Sequence, residues 1–308
     1  MNWRTFRVAA FFATAAILST QAAAALTLYS ASIRANAGGA PDAILCNLYT
    51  IDPANGAAKV IAPIRVNGVT PIAVMALAAH PITGVVYGIT AGLATGIPRS
   101  LVTIDTATGD AEVIGALGVA ASDVGFTKEG RLYAWLPELN RLGLVDLNTG
   151  AAKPMGPSGI EGLMGGGIAI RDNERAYVAA TGATGTLDTV DTRTGVGTTG
   201  PALTGAPYLS AITNLAFSPS GTLYAVNSNM GAPASSALVT IDTKTGAVTL
   251  VGALPGDTHA LIFANEPESS GFGGFTDHKA LALAGLGVVA LILIGWAVVA
   301  RSRSHRHQ

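Results

Sequence analysis

Residues 238–254 read LVTIDTKTGAVTLVGAL, and residues 101–117 read LVTIDTATGDAEVIGAL. Both stretches contain an apolar run, an Asp followed four residues later by a Gly, and a second apolar run. The alternating apolar residues predict a β-strand on each side. Asp and Gly are typical of the turn between such strands, because Asp accepts backbone N–H groups and Gly adopts positive φ. A hairpin that recurs within one chain indicates a repeat fold.

The Asp-x-x-x-Gly pattern occurs five times, and successive aspartates are 41 to 53 residues apart. This interval matches one propeller blade of four short strands. We predict that these residues form structural turns, one in each of five blades. They are Asp52 and Gly56, Asp105 and Gly109, Asp146 and Gly150, Asp191 and Gly195, and Asp242 and Gly246.

Calcium binding is the alternative interpretation of these aspartates. Calcium takes about six to eight oxygen ligands, whereas the Asp-x-x-x-Gly pattern itself supplies a single acidic side chain at each turn. We therefore expect no metal site at the turns, and no motif in the chain indicates a cofactor.

A second hairpin precedes each Asp-x-x-x-Gly copy. Its clearest example is ITNLAFSPSGTLYAVNS at residues 212–228. The second strand of each such hairpin carries a tyrosine, and an aromatic stripe of this kind is typical of packing between blades. The tyrosines are Tyr29, Tyr87, Tyr133, Tyr177 and Tyr224.

The repeat begins and ends out of phase. LTLYSASI at residues 26–33 matches the second strand of a blade, whereas DTHALIFAN at residues 257–265 matches an innermost strand. Pairing these segments would complete the first blade and remove exposed sheet edges. The predicted fold is therefore all-β: a five-bladed β-propeller over residues 26–266, closed by pairing of its N- and C-terminal strands.

The repeated phrases of this region, SPSGTLYA and TIDTKTG among them, resemble those of bacterial exported propellers of the YVTN and NHL-like kind. The resemblance extends from residue 26 to about residue 265 and implies the propeller fold. Related propellers range from protein-binding scaffolds to lactonases and quinoproteins, so the resemblance does not identify the function.

The N-terminus has the pattern of a secretory signal peptide over residues 1–25. Arg4 and Arg7 precede an apolar run at residues 8–18, and small residues follow it up to Ala25. We therefore expect the propeller to be exported.

The C-terminal region predicts a membrane anchor. Residues 280–300 contain no charged side chain, and a helix of this length spans the hydrocarbon core, which is about 30 Å thick. Residues 267–279 form a linker, and the tail at residues 301–308 contains three arginines, which favour a cytoplasmic location. The predicted protein is a single-pass membrane protein with its propeller on the periplasmic or extracellular side.

The same region resembles a sorting signal of the PEP-CTERM kind, in which an apolar helix with GLG is followed by arginines. The Pro-Glu-Pro motif of that kind is represented only by NEPESS at residues 265–270, and GFGGFTDHK separates it from the helix. Removal of the helix by a sorting enzyme and permanent anchoring are both open alternatives.

Charge and loop length bear on the partner. Six of the 18 Lys and Arg residues lie outside residues 26–278 and all 19 Asp and Glu residues lie inside, so this region carries a net charge of about −7. A negative charge of this size argues against nucleic acid as the partner.

The loops between second and third strands are longest in blades 1, 2 and 5, and loops on one face commonly carry function. We expect a non-catalytic binding or scaffold module for an envelope protein or a surface glycan; a mainly structural surface protein is a further hypothesis.

The alternative function is that of an exported hydrolase, glycosidase-like or lactonase-like, with acidic residues at the central channel. Glycoside cleavage uses a pair of carboxyl groups, and acids occur near the starts of innermost strands in three blades. Against this hypothesis, Trp135 is the only tryptophan in residues 26–266, and sugar sites commonly stack on aromatic rings. The candidate catalytic residues are Asp123, Glu161 and Asp257, with His259 beside the last.

Overall fold

The computed structural model describes residues 26–33, 46–92, 97–160, 166–179, 185–208, 211–229 and 235–266, and in these ranges all regular secondary structure is β. Within them, no helix is long and apolar enough to cross a membrane. The predicted signal peptide, linker, membrane helix and basic tail lie outside the described residues.

The described ranges contain 22 strands. In chain order these are β1 (Leu26–Ser32), β2 (Asn47–Ile51), β3 (Ala58–Pro63), β4 (Arg65–Val66), β5 (Thr70–Pro71), β6 (Val74–Ala79), β7 (Val86–Thr90), β8 (Ser100–Ile104), β9 (Asp110–Ala116), β10 (Asp123–Phe126), β11 (Leu132–Leu136), β12 (Arg141–Val145), β13 (Ala152–Pro154), β14 (Ile168–Ile170), β15 (Arg175–Ala179), β16 (Leu187–Asp191), β17 (Gly197–Thr198), β18 (Ala211–Phe217), β19 (Leu223–Ser228), β20 (Ser236–Ile241), β21 (Val248–Leu254) and β22 (Thr258–Asn265).

Five antiparallel four-stranded sheets form the five predicted blades. From the innermost strand outward, blade 1 is β22-β1-β2-β3, blade 2 is β6-β7-β8-β9, blade 3 is β10-β11-β12-β13, blade 4 is β14-β15-β16-β17 and blade 5 is β18-β19-β20-β21. The short hairpin β4-β5, which the sequence did not predict, extends blade 2 because β4 pairs parallel with β9. The prediction of an all-β, five-bladed propeller is confirmed.

The first blade is completed by the last strand, as predicted. β1 and β22 pair antiparallel from Leu26 opposite Asn265 to Ala31 opposite Ala260, and the register then shifts at Ser32. The innermost strands contact one another in the order β22, β6, β10, β14 and β18, and β18 contacts β22 again. The ring is therefore closed.

The apolar core is divided among the five interfaces between neighbouring blades. One buried cluster lies at each interface. In β11, Leu132 and Leu136 belong to the cluster shared with blade 2, whereas Tyr133 and Trp135 belong to the cluster shared with blade 4. Because alternate side chains of a strand point to opposite faces, a middle strand buries all its residues and reads as an uninterrupted apolar run.

The repeated tyrosines pack between blades. In three interfaces the ring of the tyrosine meets the edge of a phenylalanine from the innermost strand of the next blade, an arrangement that aromatic pairs favour. The pairs and their centroid distances are Tyr87 with Phe126 at 5.4 Å, Tyr177 with Phe217 at 5.3 Å, and Tyr224 with Phe263 at 5.5 Å.

Each Asp-x-x-x-Gly segment forms the turn between the third and fourth strands of its blade. In all five, the Gly N–H donates to the Asp carbonyl at 2.8 Å, and φ of the Gly lies between 75° and 80°. The side chain of Asp242 accepts N–H groups from Lys244 at 2.8 Å and Thr245 at 3.0 Å. These hydrogen bonds lower the pKa of Asp242.

The turn glycines also contact the preceding blade. A Cβ on Gly109 of blade 2 would lie 2.6 Å from the carbonyl oxygen of Pro63 in blade 1. A Cβ on Gly56 of blade 1 would lie 2.9 Å from the carbonyl oxygen of Ala253 in blade 5. In each turn the closest contact of the glycine is thus with the backbone of the preceding blade, and the contact of Gly56 with blade 5 helps to close the ring.

We predict that Gly109→Ala destabilises the protein much more than Gly118→Ala. Both glycines have φ of 77°, but a Cβ on Gly118 would have no atom within 4 Å. Gly118→Ala should cost about 1 kcal/mol of unfolding free energy for the left-handed backbone, and Gly109→Ala about 3 kcal/mol because the clash is added. Denaturant unfolding of the two variants measures the difference; equal losses would show that the contact with blade 1 contributes nothing.

Candidate functional site

The five innermost strands surround a central channel and run in the same direction. Each begins at the face that carries the loops between second and third strands, and ends at the face that carries the first hairpin of the blade. We call these the upper face and the lower face. Acids at the starts of innermost strands lie near the upper face.

Asp123 is the first residue of β10, and its side chain is fully buried. Its carboxylate accepts N–H groups from Val124 and Ile168, each at 2.8 Å, and from Leu215 at 3.4 Å. The side-chain amide of Asn214 donates a fourth hydrogen bond. We call this carboxylate with its four donors the Asp123 clasp, and it joins blade 3 to blades 4 and 5.

Gly167 allows the clasp to reach across blade 4. The strand registers place Asp123, Gly167 and Asn214 at equivalent positions, two residues before the partner of the repeated tyrosine. A Cβ on Gly167 would clash with the backbone of Asn214. Because Gly has no side chain, blade 4 fits closely between the acid of blade 3 and the amide of blade 5.

The environment of Asp123 is that of a structural acid. Burial raises its pKa well above the usual value, against the opposing effect of its hydrogen bonds. The residue has 0% exposed surface, so a substrate could not contact the carboxyl group in this structure. Its oxygens instead satisfy backbone N–H groups that would otherwise be buried without partners.

The other catalytic candidates lie elsewhere. Asp257 is half-buried in the turn before β22, where φ is 59° and its carbonyl accepts the N–H of Ile33 at 3.0 Å. His259 is half-buried within β22, and its carbonyl lies 3.5 Å from the hydroxyl of Thr213. Glu161 lies outside the described residues. In the ranges that the structure describes, no three His, Cys, Asp or Glu side chains group as a metal site.

On the upper face, the loops of blades 2 and 3 are joined by an ion pair. Arg99 lies 3.6 Å from Glu138. The neighbouring Leu139 is 45% exposed, so an apolar side chain lies at the surface next to Glu138. Much of the three longest loops lies outside the described residues, at residues 34–45, 93–96 and 230–234.

The lower end of the channel opens as a cavity of about 340 Å³, which we call the lower cavity. All five innermost strands contribute to its walls. Val124, Ile168 and Leu215 line it at the end nearest the Asp123 clasp, and their N–H groups bond to that carboxylate. The clasp therefore lies directly behind the inner end of the cavity.

Most of the side chains that line the lower cavity are apolar. Four of its residues are small and pair with the repeated tyrosines across the first hairpin of their blades. Three others are aromatic and come at the end of the innermost strand. The small residues are Ala78, Gly125, Ala169 and Ala216, and the aromatic ones are Phe126, Phe217 and Phe263.

His80 contributes a polar group to the rim of the lower cavity. Its Nδ1 accepts the N–H groups of Ile82 and Thr83, each at 3.2 Å, and its ring lies 5.0 Å from that of Phe126. Burial lowers the pKa of His80. Because Nδ1 is an acceptor, the neutral ring carries its hydrogen on Nε2, which is a donor.

The sequence did not predict the lower cavity, although it contains one indication of it. The phrases GFTKEG, AFSPSG and IFANEP each place a phenylalanine at the end of an innermost strand. Aligning that position would have indicated an aromatic rim. The empty volume depends on the distances between five strands, which sequence patterns do not give.

These sheets define the chain as a five-bladed β-propeller. No protein-family model matches it, and no curated protein matches it. Its fold is similar to that of a chain in the crystal structure of a nidogen/laminin complex, with a TM-score of 0.49 and 12% identity over 78% of this chain and 98% of that one. It is also similar to a chain of Kuenenia stuttgartiensis hydrazine synthase, with a TM-score of 0.38 and 20% identity over 57% of this chain and 49% of that one.

We predict that Asp123→Ala costs about 3 kcal/mol of unfolding free energy, because three backbone N–H groups and one amide lose a buried acceptor. Asp257→Ala is the matched control, since it removes a half-buried acid from the same end of the channel, and should cost less than about 1 kcal/mol. Urea unfolding compares the two variants. Similar small losses would contradict the structural role of Asp123.

We predict that the contribution of Asp123 to the free energy of unfolding decreases as the pH rises. Because the pKa of Asp123 is raised on folding, the folded chain holds this proton at a pH where the unfolded chain, with a pKa of about 3.9, has lost it. The stabilising contribution of Asp123 should be largest below about pH 4 and decrease as the pH rises toward the raised pKa. The stability advantage of the natural chain over Asp123→Asn should thus be smaller at pH 7 than at pH 4; an advantage that grows with pH would contradict the assignment.

Proposed function

We propose that this chain is a non-catalytic binding module: an exported propeller, tethered to the membrane by residues 280–300, that presents its upper face to a protein of the cell envelope. The observation that carries this proposal is that Asp123 is buried and hydrogen-bonded as a structural residue. The hydrolase hypothesis needs accessible acids at the channel, and this acid is buried and bonded to three blades.

The architecture supports binding through loops. The second and third strands, which flank the longer loops of the upper face, are largely buried between two blades. A rigid support reduces the ordering cost when a loop binds a partner. Differences in loop length between blades then create an uneven surface on an otherwise regular ring.

A protein is favoured over a glycan by the side chains on the described part of the upper face. Leu139 offers an exposed apolar anchor beside the Arg99–Glu138 ion pair, and an apolar centre with polar neighbours is typical of protein interfaces. Trp135, by contrast, is fully buried between blades 3 and 4, so it is not available to stack on a sugar.

The proposed location rests on the two ends of the sequence. The pattern of residues 1–25 supports export, and the uncharged run at residues 280–300 supports a membrane span. The arginines that follow favour a cytoplasmic C-terminus, so the upper face would meet partners outside the cytoplasm.

Site-specific photocrosslinking tests the binding face. A photoreactive amino acid replaces Leu139 on the upper face or Ile82 on the lower face of the full chain in its own membrane. Ile82 is the matched control because it is also apolar and is 73% exposed, in the first hairpin of blade 2. We expect one discrete crosslinked protein from position 139 and none from position 82.

A substitution on the same surface gives the energetic test. Leu139→Asp should weaken recovery of that partner by about thirtyfold, since removal of an interface anchor commonly costs about 2 kcal/mol. Ile82→Asp should leave recovery unchanged. Crosslinking only from position 82, or equal effects of the two substitutions, would contradict binding through the upper face.

A further inference from the structure

We propose that the lower cavity is a binding site for a small anionic amphiphile, that is, a molecule with an apolar body and a carboxylate head. This inference concerns the face opposite to the proposed partner surface and does not depend on it. It rests on the volume of the cavity, its apolar wall and the charge at its rim.

The volume sets the size of the ligand. Small-molecule sites commonly enclose about 300 to 1,000 Å³, and the lower cavity encloses about 340 Å³. At about 30 Å³ for each water-sized group, the space takes roughly eleven non-hydrogen atoms. The Asp123 clasp lies behind Val124, Ile168 and Leu215, so a longer chain would leave part of its length outside.

The wall determines the chemistry of the ligand body. The cavity is lined by aliphatic and small side chains, with the rings of Phe126, Phe217 and Phe263 toward its mouth. Apolar surface leaves water favourably on entering such an environment. Phe126 and Phe263 are each 8% exposed, and their rings are held by tyrosine contacts, so this part of the wall is fixed by packing between blades.

The rim determines the charge of the head. Among the residues that the structure describes, Lys128 is the only charged one that lines the cavity, and no Asp or Glu does so. Lys128 is exposed and makes no ion pair within the described residues. Arg171, in the first hairpin of blade 4, adds a second positive charge nearby, with its guanidinium 5.9 Å from the centre of the Phe217 ring.

Neutral donors at the rim also suit a carboxylate. The Nε2 hydrogen of His80 is a donor because Nδ1 already accepts two backbone N–H groups. The side-chain amide of Asn265 lines the same mouth. A carboxylate is an acceptor only, so it matches this set of donors, whereas an ammonium head would meet like charge at Lys128.

Two acids that follow rim residues in the sequence already have hydrogen-bond partners. Glu129 lies next to Lys128 in sequence, but its carboxylate bonds to Arg131 at 2.7 Å and to Asn173 at 3.1 Å. Glu266, which follows Asn265, accepts the hydroxyl of Thr27 at 2.8 Å. Arg131 thus neutralises Glu129, and neither Glu129 nor Glu266 lines the cavity, so Lys128 has no acidic partner among the residues that line it.

Equilibrium dialysis with the full chain in lipid nanodiscs tests the site, with empty nanodiscs as the blank. The probes are octanoate, octanol and octylammonium at low salt and pH 7, where octanoate is ionised. We expect one octanoate per chain with a dissociation constant on the order of 0.1 mM. Octanol should bind about threefold more weakly, as expected for loss of one exposed charge interaction, and octylammonium more weakly still.

Two variants measure the contribution of the cavity wall and that of the rim to ligand binding separately. Ala79→Phe places a phenylalanine where blades 3, 5 and 1 already carry Phe126, Phe217 and Phe263; the repeat therefore accepts this side chain, and the cavity becomes smaller. It should weaken octanoate binding at least tenfold without lowering Tm. Lys128→Gln should weaken octanoate about threefold and leave octanol unchanged, whereas Lys59→Gln on the exposed outer strand β3 should change neither.

Each other outcome overturns the proposal. If octanoate binds equally well to the natural chain and to folded Ala79→Phe, the ligand is not in the lower cavity. If octanol binds as tightly as octanoate, or if Lys128→Gln has no more effect than Lys59→Gln, then the site does not recognise an anionic head group. Should Ala79→Phe fail to fold, the comparison of the two lysine variants still decides whether the rim recognises the head.

Discussion

All five apolar clusters of this protein are buried only because the ring of blades is closed. Every blade buries apolar side chains on both faces, so every blade needs two neighbours, and only a closed ring provides ten covered faces for five blades. Strand β22 covers the interface between blades 1 and 5, because it pairs with β1 and carries Leu261 and Phe263 into the cluster shared with blade 5. An open chain would expose two apolar faces and unpaired strand edges, which favour aggregation.

Closure brings five innermost strands together, and the two ends of the channel then differ because their side chains differ. Toward the upper face, one carboxylate accepts N–H groups from three blades, and Gly167 leaves room for it. Toward the lower face, alanine and glycine leave a space that aromatic rings surround. The same strands therefore carry a structural acid at one end and a space of ligand size at the other.

Sequence reasoning predicted those features that repeat. The Asp-x-x-x-Gly phrases indicated the blade number, and the mismatch of residues 26–33 and 257–265 with a complete blade indicated how the ring closes. It did not predict the Asp123 clasp, because Asp123 and Asn214 are 91 residues apart and meet only through the register of three blades. It missed the hairpin β4-β5 because strands of two residues are too short to show alternation of apolar and polar residues. It missed the lower cavity because a cavity has no pattern in the sequence.

Strand β22 completes the first blade and thereby closes the ring. Hydrogen exchange of the full chain, followed by mass spectrometry, reports on this pairing, because backbone N–H groups in a closed blade are protected until the ring opens. Peptides covering β1 and β22 should exchange together and as slowly as those covering β18 and β19. Rapid exchange in β22 while β18 and β19 remain protected would show that the ring is open and would contradict the account.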